Sequence, residues 1–189
     1  MVVRKIIRKI WFLLRYIYVQ IFKGLYYEKK YLKGEKFKHM WSEGWNVAAR
    51  DIRSRLFTGK NIEVKWPVSP NIECGTNIEF DIDDINNFWG SGNYFQTIDA
   101  KIIIGKGTWI AKNVGIITSN HCFDDLNKHN PGKDVIIGEN CWIGMNSMIL
   151  PGVVLGKHTI VGAGSVVTHS FKEGNCIIAG NPAKIIRNI

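Results

Sequence analysis

The sequence IIGENCWIGMNSMILPGVVLG at residues 136–156, continued by KHTIVGAGSVVT at residues 157–168, repeats itself every six residues. Each unit has an aliphatic residue first, often a glycine second, and a small or β-branched residue fifth. A strand alternates with a period of two and an α-helix with one of 3.6, so neither explains this spacing. The aliphatic positions of the run are Ile137, Ile143, Ile149, Leu155, Val161 and Val167.

A period of six predicts a short strand and a turn in every unit, with three units forming one triangular coil. We expect the aliphatic residue to point inward and the glycine to permit the bend at the corner. The same frame continues upstream through Ile98, Ile104, Ile110 and Ile116, and more weakly back to Ile62. The predicted fold is therefore mainly β, a parallel β-helix of about five coils whose strands pair at about 4.8 Å.

The repeat is interrupted between Ile116 and Ile137, which are 21 residues apart. One unit accounts for six of these residues, so residues 122–136 are predicted to leave the coil as a protruding loop. The stretch is polar and contains Pro131–Gly132, as expected of a surface loop. A repeat protein interrupts its own register at a cost in stability, and function is the usual reason.

Charge divides the chain near residue 60. Residues 1–60 carry fifteen Lys and Arg against four acids, whereas the remainder carries ten against twelve. This division argues against a nucleic-acid-binding core and favours a basic arm that meets an anionic surface. The predicted organisation is an N-terminal arm and connector at residues 1–60, the β-helix at residues 61–172 and a closing segment at residues 173–189.

Residues 1–22 have the pattern of a basic amphipathic helix that lies in a membrane interface. Their longest uncharged stretch, Tyr16–Phe22, is too short to span a bilayer, and no cleavage site of a signal peptide follows. We therefore expect a cytoplasmic protein that is peripheral on the inner face of the cell membrane. The alternative is a helix that packs on the protein or on a neighbouring subunit. The aliphatic side of the helical wheel contains Ile6, Ile10, Leu13, Leu14, Ile17 and Ile21.

The repeats resemble the hexapeptide-repeat acyltransferases, and within them the branch that O-acetylates sugars and exopolysaccharides. Besides residues 136–168, the resemblance rests on TSNH at residues 118–121 and IIAGNPAKII at residues 177–186. It covers about residues 62–189 and leaves out the N-terminal arm. It implies a left-handed parallel β-helix and a homotrimer. It also implies acetyl transfer from acetyl-CoA to a saccharide hydroxyl in surface polysaccharide biosynthesis, with no metal.

In this family the general base lies where the stretch matched by TSNH enters the loop, which makes His121 the candidate. A neutral histidine suits removal of a hydroxyl proton near pH 7 while the oxygen attacks a thioester directly. Cys122 suggests a covalent route, but cysteine also fills interior positions elsewhere in this chain. The implied acceptor-binding residues are Asn93, Gln96, Asp99, Asn120 and Asp124.

The family binds CoA along the groove between coils and subunits, and the resemblance implies that two C-terminal cations meet its phosphates. Met145 departs from the serine of many sugar acetyltransferases, so an oxyanion donor at this position must be a backbone N–H. The implied CoA-binding residues are Trp142, Gly144, Met145, Ala163, Gly164, Thr168, Asn181, Pro182, Lys184 and Arg187.

Other activities fit parts of the pattern. N-acetylation of an amino sugar nucleotide, or O-acetylation of serine, would use the same machinery. A zinc hydratase like the γ-type carbonic anhydrases needs three convergent histidines, whereas only His121 and His129 share the loop. A non-catalytic β-helix that only assembles with partners is the alternative from a different class, and His121 at the head of the loop argues against it.

Overall fold

The computed structural model describes residues 2–189, with side chains at residue 4 and residues 6–189. The chain forms two compact units, of which the first ends at Pro70 and the second begins at Asn71. Met1, which the predicted arm includes, lies outside the described residues.

The first unit is helical. Helix α1 (Val2–Tyr26) packs on helix α2 (Glu43–Thr58), and two short 3-10 helices, Lys29–Leu32 and Glu35–Phe37, connect them. The predicted helical arm is confirmed. Helix α2 was not predicted, because its apolar side holds small and polar residues as well as aliphatic ones.

The contact face of α1 is not the aliphatic face of the helical wheel. Tyr16 packs edge-on against Trp45, with ring centroids 5.1 Å apart, and Val19 is fully buried. The six aliphatic residues of the predicted face are each at least 41% exposed. None of the helices within residues 2–189 combines the length and the apolar content that crossing a bilayer requires.

A buried ion pair attaches the chain after α2 to that helix. Asp51 and Arg55 are both buried, with a carboxylate oxygen 2.8 Å from a guanidinium nitrogen. The Arg55 guanidinium donates to the carbonyl oxygens of Val64 and Trp66, at 2.6 and 3.0 Å. The Asp51 carboxylate accepts the Val68 N–H at 3.1 Å. The segment is therefore held by side chains of a helix.

This attachment moves the start of the β-helix. The frame predicts a first unit at Ile62, but Ile62 is 51% exposed, and the first strand begins at Glu73. The physical reason is that the backbone around residues 64–68 bonds to α2 instead of to another coil.

The second unit, residues 71–189, is described throughout and is built from short strands. Its fourteen strands are β1 (Glu73–Cys74), β2 (Ile78–Phe80), β3 (Tyr94–Gln96), β4 (Ile102–Ile104), β5 (Trp109–Ile110), β6 (Gly115–Ile117), β7 (Val135–Ile137), β8 (Trp142–Ile143), β9 (Met148–Ile149), β10 (Val154–Leu155), β11 (Thr159–Val161), β12 (Val166–Val167), β13 (Cys176–Gly180) and β14 (Ala183–Asn188).

These strands form three sheets around a common interior. Sheet A has the order β1-β3-β6-β9-β12, sheet B the order β2-β4-β7-β10, and sheet C the order β5-β8-β11-β13-β14. All neighbours are parallel except β13 and β14. A 3-10 helix, Ile82–Phe88, takes the place of a sheet C strand in the first coil. The parallel β-helix of about five coils is thus confirmed.

Two insertions of three residues each lie upstream of the regular run. Tyr94 of β3 pairs with Gly115 of β6, 21 residues later, whereas the later coils repeat after 18. One insertion follows β3, and the other lies between β2 and β3. Together the two insertions add six residues, so the frame is the same before and after them. Between them, a different residue points inward. Phe95 is buried in the place where the frame predicts Ile98.

The glycines after the aliphatic residues have a different role from the one expected. None of the five at residues 105, 138, 144, 156 and 162 has a positive φ. A Cβ on Gly144 would lie 2.5 Å from the Val161 carbonyl oxygen, and one on Gly138 would lie 2.6 Å from the Lys157 nitrogen. These positions require glycine because adjacent coils stack so closely. The left-handed corner residue falls elsewhere, for example at Asn146.

Candidate active site

The interruption of the repeat lies at the corner where sheet A passes to sheet B, between β6 and β7. Residues 118–134 leave the coil here, and the loop ends before Val135, two residues earlier than predicted. The loop folds back on itself as a hairpin, because the Cys122 N–H donates to the Lys128 carbonyl oxygen at 2.9 Å. The protruding loop therefore has a defined internal structure.

The end of β3 and the insertion after it support the foot of this loop from the preceding coil. The Ser119 N–H donates to the Gln96 side-chain oxygen at 3.0 Å. Gly132 lies so close to this segment that a Cβ there would be 2.8 Å from the Asp99 carbonyl carbon. Gln96 and Asp99, two predicted acceptor-binding residues, thus share the corner that carries the loop.

His121 lies on the first arm of the hairpin, and its ring contacts that of His129 on the second arm. The ring centroids are 4.3 Å apart and the planes are inclined by 34°. The two residues form an antiparallel bridge, and the Asn130 side-chain amide donates to the His121 carbonyl oxygen at 3.1 Å. Both histidines are exposed. The arrangement presents an oriented imidazole to solvent, which can accept a proton from a bound hydroxyl.

Sequence reasoning missed His129 as the neighbour of His121. The hexad period stops at the loop, so it says nothing about which residues the hairpin brings together. The available signal is Pro131–Gly132, a turn-forming pair, but it does not fix the register of the two arms.

The acids of the loop have different environments. Asp125 forms an ion pair with Lys128 at 3.0 Å and accepts the Asn127 N–H, and both contacts stabilise the hairpin turn. The hydrogen bond from the Lys128 ammonium holds the pKa of Asp125 below its ordinary value. Asp124, the predicted acceptor-binding acid, is exposed, and so is Asn120. Phe123 at the tip is 98% exposed.

Asn93 does not join this group. It is buried at the opposite edge of sheet A, where its side-chain oxygen accepts the Val114 N–H at 3.1 Å. Asn87, in the 3-10 helix before β3, has a similar role, since its side-chain oxygen accepts the Ile110 N–H at 2.9 Å. Both side chains bond to backbone groups of a neighbouring coil, so Asn93 has a structural hydrogen bond in this copy of the chain.

Most of the predicted CoA-binding residues lie at the corner where sheet C passes to sheet A. Gly144 and Met145 stack there on Ala163 and Gly164 of the next coil, and the Gly164 N–H donates to the Met145 carbonyl oxygen at 2.8 Å. The Gly144 N–H donates to Val161. The amide N–H groups of the two glycines are therefore engaged between coils.

The remaining predicted CoA residues are distributed around this corner. Trp142 is 56% exposed on β8, and Asn181 and Pro182 follow β13 at the same corner. Lys184 and Arg187 are exposed on the antiparallel strand β14. Thr168 is the exception, because it follows β12 at the corner of sheets A and B, and its hydroxyl lies 3.2 Å from the His169 Nδ1 atom.

The two sets of residues therefore lie at opposite ends of the strands of sheet A. The loop with His121 is at the edge next to sheet B, and the stacked corner of Gly144 and Gly164 is at the edge next to sheet C. One copy of the chain presents the candidate base and most of the candidate CoA path on different edges.

A coil of hexads with one hairpin that presents a histidine defines a class of hexapeptide-repeat β-helix proteins, and comparison with known proteins agrees. The family model of the bacterial transferase hexapeptide (six repeats) matches residues 134–169. The galactoside O-acetyltransferase of Lactococcus lactis is 34% identical over 144 residues, which are 74% of this chain and 67% of that enzyme.

Two further comparisons extend this likeness. A presumed lipopolysaccharide biosynthesis O-acetyltransferase of Escherichia coli is 40% identical over 98 residues, 46% of this chain and 50% of that protein. The solved structure of a hexapeptide-repeat-containing acetyltransferase from Vibrio cholerae matches with a TM-score of 0.50 and 26% identity, covering 64% of this chain and 69% of that one. The chain spans between half and about two thirds of the curated relatives it matches here.

The chain belongs to the hexapeptide-repeat acyltransferase family. Its coils match the left-handed parallel β-helix that the resemblance implies.

Proposed function

We propose that the protein is an acetyl-CoA-dependent O-acetyltransferase that acts on a saccharide hydroxyl in surface polysaccharide biosynthesis. The observation that carries the proposal is the exposed imidazole of His121, held on a hairpin at the interruption of the repeat. The relatives support the reaction class, since one is named for galactosides and another for lipopolysaccharide biosynthesis.

The reaction needs a base for the acceptor hydroxyl. The His121 imidazole removes the hydroxyl proton while the oxygen forms a bond to the thioester carbonyl carbon. The C–S bond then breaks, and CoA leaves as a thiol after taking up a proton from the imidazolium. The ring of His129, whose centroid is 4.3 Å from that of the His121 ring, limits rotation of the His121 ring. Asp99, Asn120 and Asp124 contact the acceptor.

Acetyl-CoA binds along the stacked corner of Gly144 and Gly164, and its phosphates meet Lys184 and Arg187. Because this corner and His121 lie at opposite edges of sheet A, a neighbouring copy in a homotrimer brings the two together. Exposed apolar side chains support such association. Phe123 extends from the loop, and Trp109 lies in register with Trp142 on sheet C, both more than half exposed.

The N-terminal helix gives the enzyme its location. The exposed aliphatic face of α1 and the excess of fifteen cations over four acids in residues 1–60 suit peripheral contact with an anionic membrane at the cytoplasmic surface. At that surface, saccharides under assembly would be within reach.

The proposal is tested by binding and turnover. Purified protein is titrated with CoA and acetyl-CoA in a calorimeter, then incubated with labelled acetyl-CoA and a panel of galactosides, oligosaccharides, amino sugar nucleotides and serine. We expect one CoA site per chain and labelled ester on a saccharide. His121→Ala should retain CoA binding and lose turnover by about 10²–10⁴-fold, whereas His39→Ala should behave as the unmodified protein.

Two outcomes would overturn the proposal. Absence of CoA binding up to millimolar concentration, in protein shown to be folded and trimeric, would leave a scaffold as the better account. Labelled amide on an amino sugar, with no ester on any hydroxyl, would make it an N-acetyltransferase.

A further inference from the structure

Helices α1 and α2 leave a cleft beside their contact, with a volume of about 1030 Å³. Its wall is largely apolar and includes Trp11 and Leu14 from α1 and Phe57 from α2. Phe57 is 82% exposed, so the cleft holds a large apolar surface in contact with water. Exposed apolar surface of this kind in one concave site indicates a ligand with an apolar part.

The same cleft is lined by three arginines, Arg15 from α1 and Arg50 and Arg53 from α2. In the part of the chain that the structure describes, none of the three forms an ion pair with a carboxylate. Arg15 has a neutral partner, the side-chain oxygen of Asn46 at 3.1 Å. Arg50 and Arg53 are spaced three residues apart on one face of α2, where like charges repel. A bound anion would remove this repulsion.

The cleft is continuous with the exposed aliphatic face of α1. Leu14 belongs to both, and Trp11 is its neighbour on the helix surface. That face extends from Ile6 to Ile21, about 22 Å along the helix at 1.5 Å per residue. A helix that lies in a membrane interface on this face has lipid headgroups beside it, at the level where the cleft opens.

We propose that the cleft binds the phosphate headgroup of an anionic phospholipid from the bilayer on which α1 lies. The guanidinium groups of Arg50 and Arg53 hold the phosphate, and the acyl chain lies along the apolar wall. The inference rests on the proposed membrane contact and adds a defined lipid site to it. A free phosphate or a nucleotide would leave the apolar wall in water, so the combination of wall and charge favours a phosphorylated lipid.

Vesicle flotation of the full chain tests the site, with vesicles of phosphatidylcholine alone and of phosphatidylcholine with phosphatidylglycerol. The cleft variant is Arg50→Gln with Arg53→Gln. The matched control, Lys29→Gln with Lys33→Gln, removes the same two charges from exposed positions of the same unit. We expect the cleft variant to lose at least about tenfold in affinity for anionic vesicles, because it loses charge-assisted hydrogen bonds, and the control to lose clearly less. Equal losses would overturn the cleft site and leave only diffuse attraction.

A third variant separates the cleft from the membrane contact itself. Ile10→Asn with Ile17→Asn makes the aliphatic face polar, and we expect it to abolish binding to both vesicle types. If this variant fails to bind while the cleft variant binds as the unmodified chain does, the membrane contact stands and the cleft proposal is wrong. If the face variant binds normally, the membrane contact is wrong as well.

A competition experiment in solution distinguishes the lipid from its headgroup. Short-chain phosphatidylglycerol, used below its micelle concentration, should compete with vesicles, whereas inorganic phosphate at the same concentration should not. Equal competition by inorganic phosphate would overturn the lipid assignment. Acetyl transfer to a soluble acceptor should be the same in the cleft variant, and circular dichroism checks that every variant is folded.

Discussion

The interiors of the two units are built on opposite plans. The β-helix is filled by aliphatic rungs, and its interior hydroxyls bond to carbonyls of their own or adjacent coils, as Ser147 does with Gly144 at 2.7 Å. The helical unit has charge at its centre. Asp51 accepts hydrogen bonds from Arg55 and from the Tyr27 hydroxyl, the latter at 2.9 Å, and the Arg55 guanidinium lies over the Tyr27 ring.

This difference determines how stability is distributed. In a solenoid each coil contacts only its neighbours, so the free energy of unfolding is divided among similar rungs. In the helical unit one buried cluster holds α2 and the chain that follows it, so a single substitution can release both. The fold of the repetitive unit can be predicted from its period, whereas the fold of the helical unit depends on contacts that have no period.

The largest effect is expected from Asp51→Asn, which leaves the Arg55 charge buried without its carboxylate. Removing one partner of a buried ion pair costs about 3–5 kcal/mol. Urea denaturation gives the free energy of unfolding, and hydrogen exchange read by mass spectrometry locates the loss. Protection should fall in α2 and at residues 61–68 and stay unchanged in the strands. Glu63→Gln, an exposed acid of the same unit, is the control, and equal loss of protection in both units would contradict the comparison.

Ile149→Ala should break the β-helix from within. Ile149 is fully buried on β9, between rungs from β6 and β12, so truncation leaves a cavity and costs about 2–5 kcal/mol. The loss of protection should extend to the flanking coils and spare α1 and α2. Val154→Ala, a half-exposed position on the outer side of β10, should cost far less. A loss confined to β9 would show that the coils are not coupled.

Gly144→Ala tests why the corner glycines are needed. The added Cβ would lie 2.5 Å from a backbone oxygen of the next coil, so we expect a cost of about 1–3 kcal/mol from overpacking. Gly164→Ala is the matched case, since its Cβ meets nothing within 4 Å but its φ is +70°. It should cost about 1–2 kcal/mol through backbone strain alone. Thermal denaturation of both variants measures the two costs, and a neutral Gly144→Ala would show that the coils can separate locally.

Gly24→Ala should have the smallest effect and the opposite sign. Gly24 lies within α1, and a Cβ there meets nothing within 4 Å. Alanine should stabilise the helix by about 0.5–1 kcal/mol because it restricts the unfolded chain. Circular dichroism during heating would detect this as a higher melting temperature, and a decrease would indicate that the site is not simply open helix surface.

Much of the β-helix was predictable. The aliphatic positions from Ile137 to Val167 are all buried as expected, because every hexad repeats the same local environment. The prediction was wrong upstream, at Ile62 and Ile98. Hydrogen bonds to α2 replace coil pairing after Ile62, and two short insertions shift the repeat near Ile98. Two insertions of three residues add up to six, so the period of six resumes in its old frame and the insertions cannot be seen from the spacing.

The candidate site was predictable in its position but not in its construction. The interruption of the register predicted the loop, and the resemblance at TSNH made His121 the candidate base. It could not predict that His129 lies against His121, that Gln96 supports the loop, or that Asn93 is buried in a structural hydrogen bond. These contacts join residues whose separation in the chain has no regular value.

The sequence by itself determined the coil, the location of the loop and the amphipathic character of α1, because each depends on a local period that side-chain burial imposes. Only the tertiary structure decided where the β-helix begins, which face of α1 is covered and how the hairpin pairs. It also decided that three arginines line one apolar cleft. Each of these depends on side chains that meet across long separations in the chain, where packing and hydrogen bonding, and no period, select the partner.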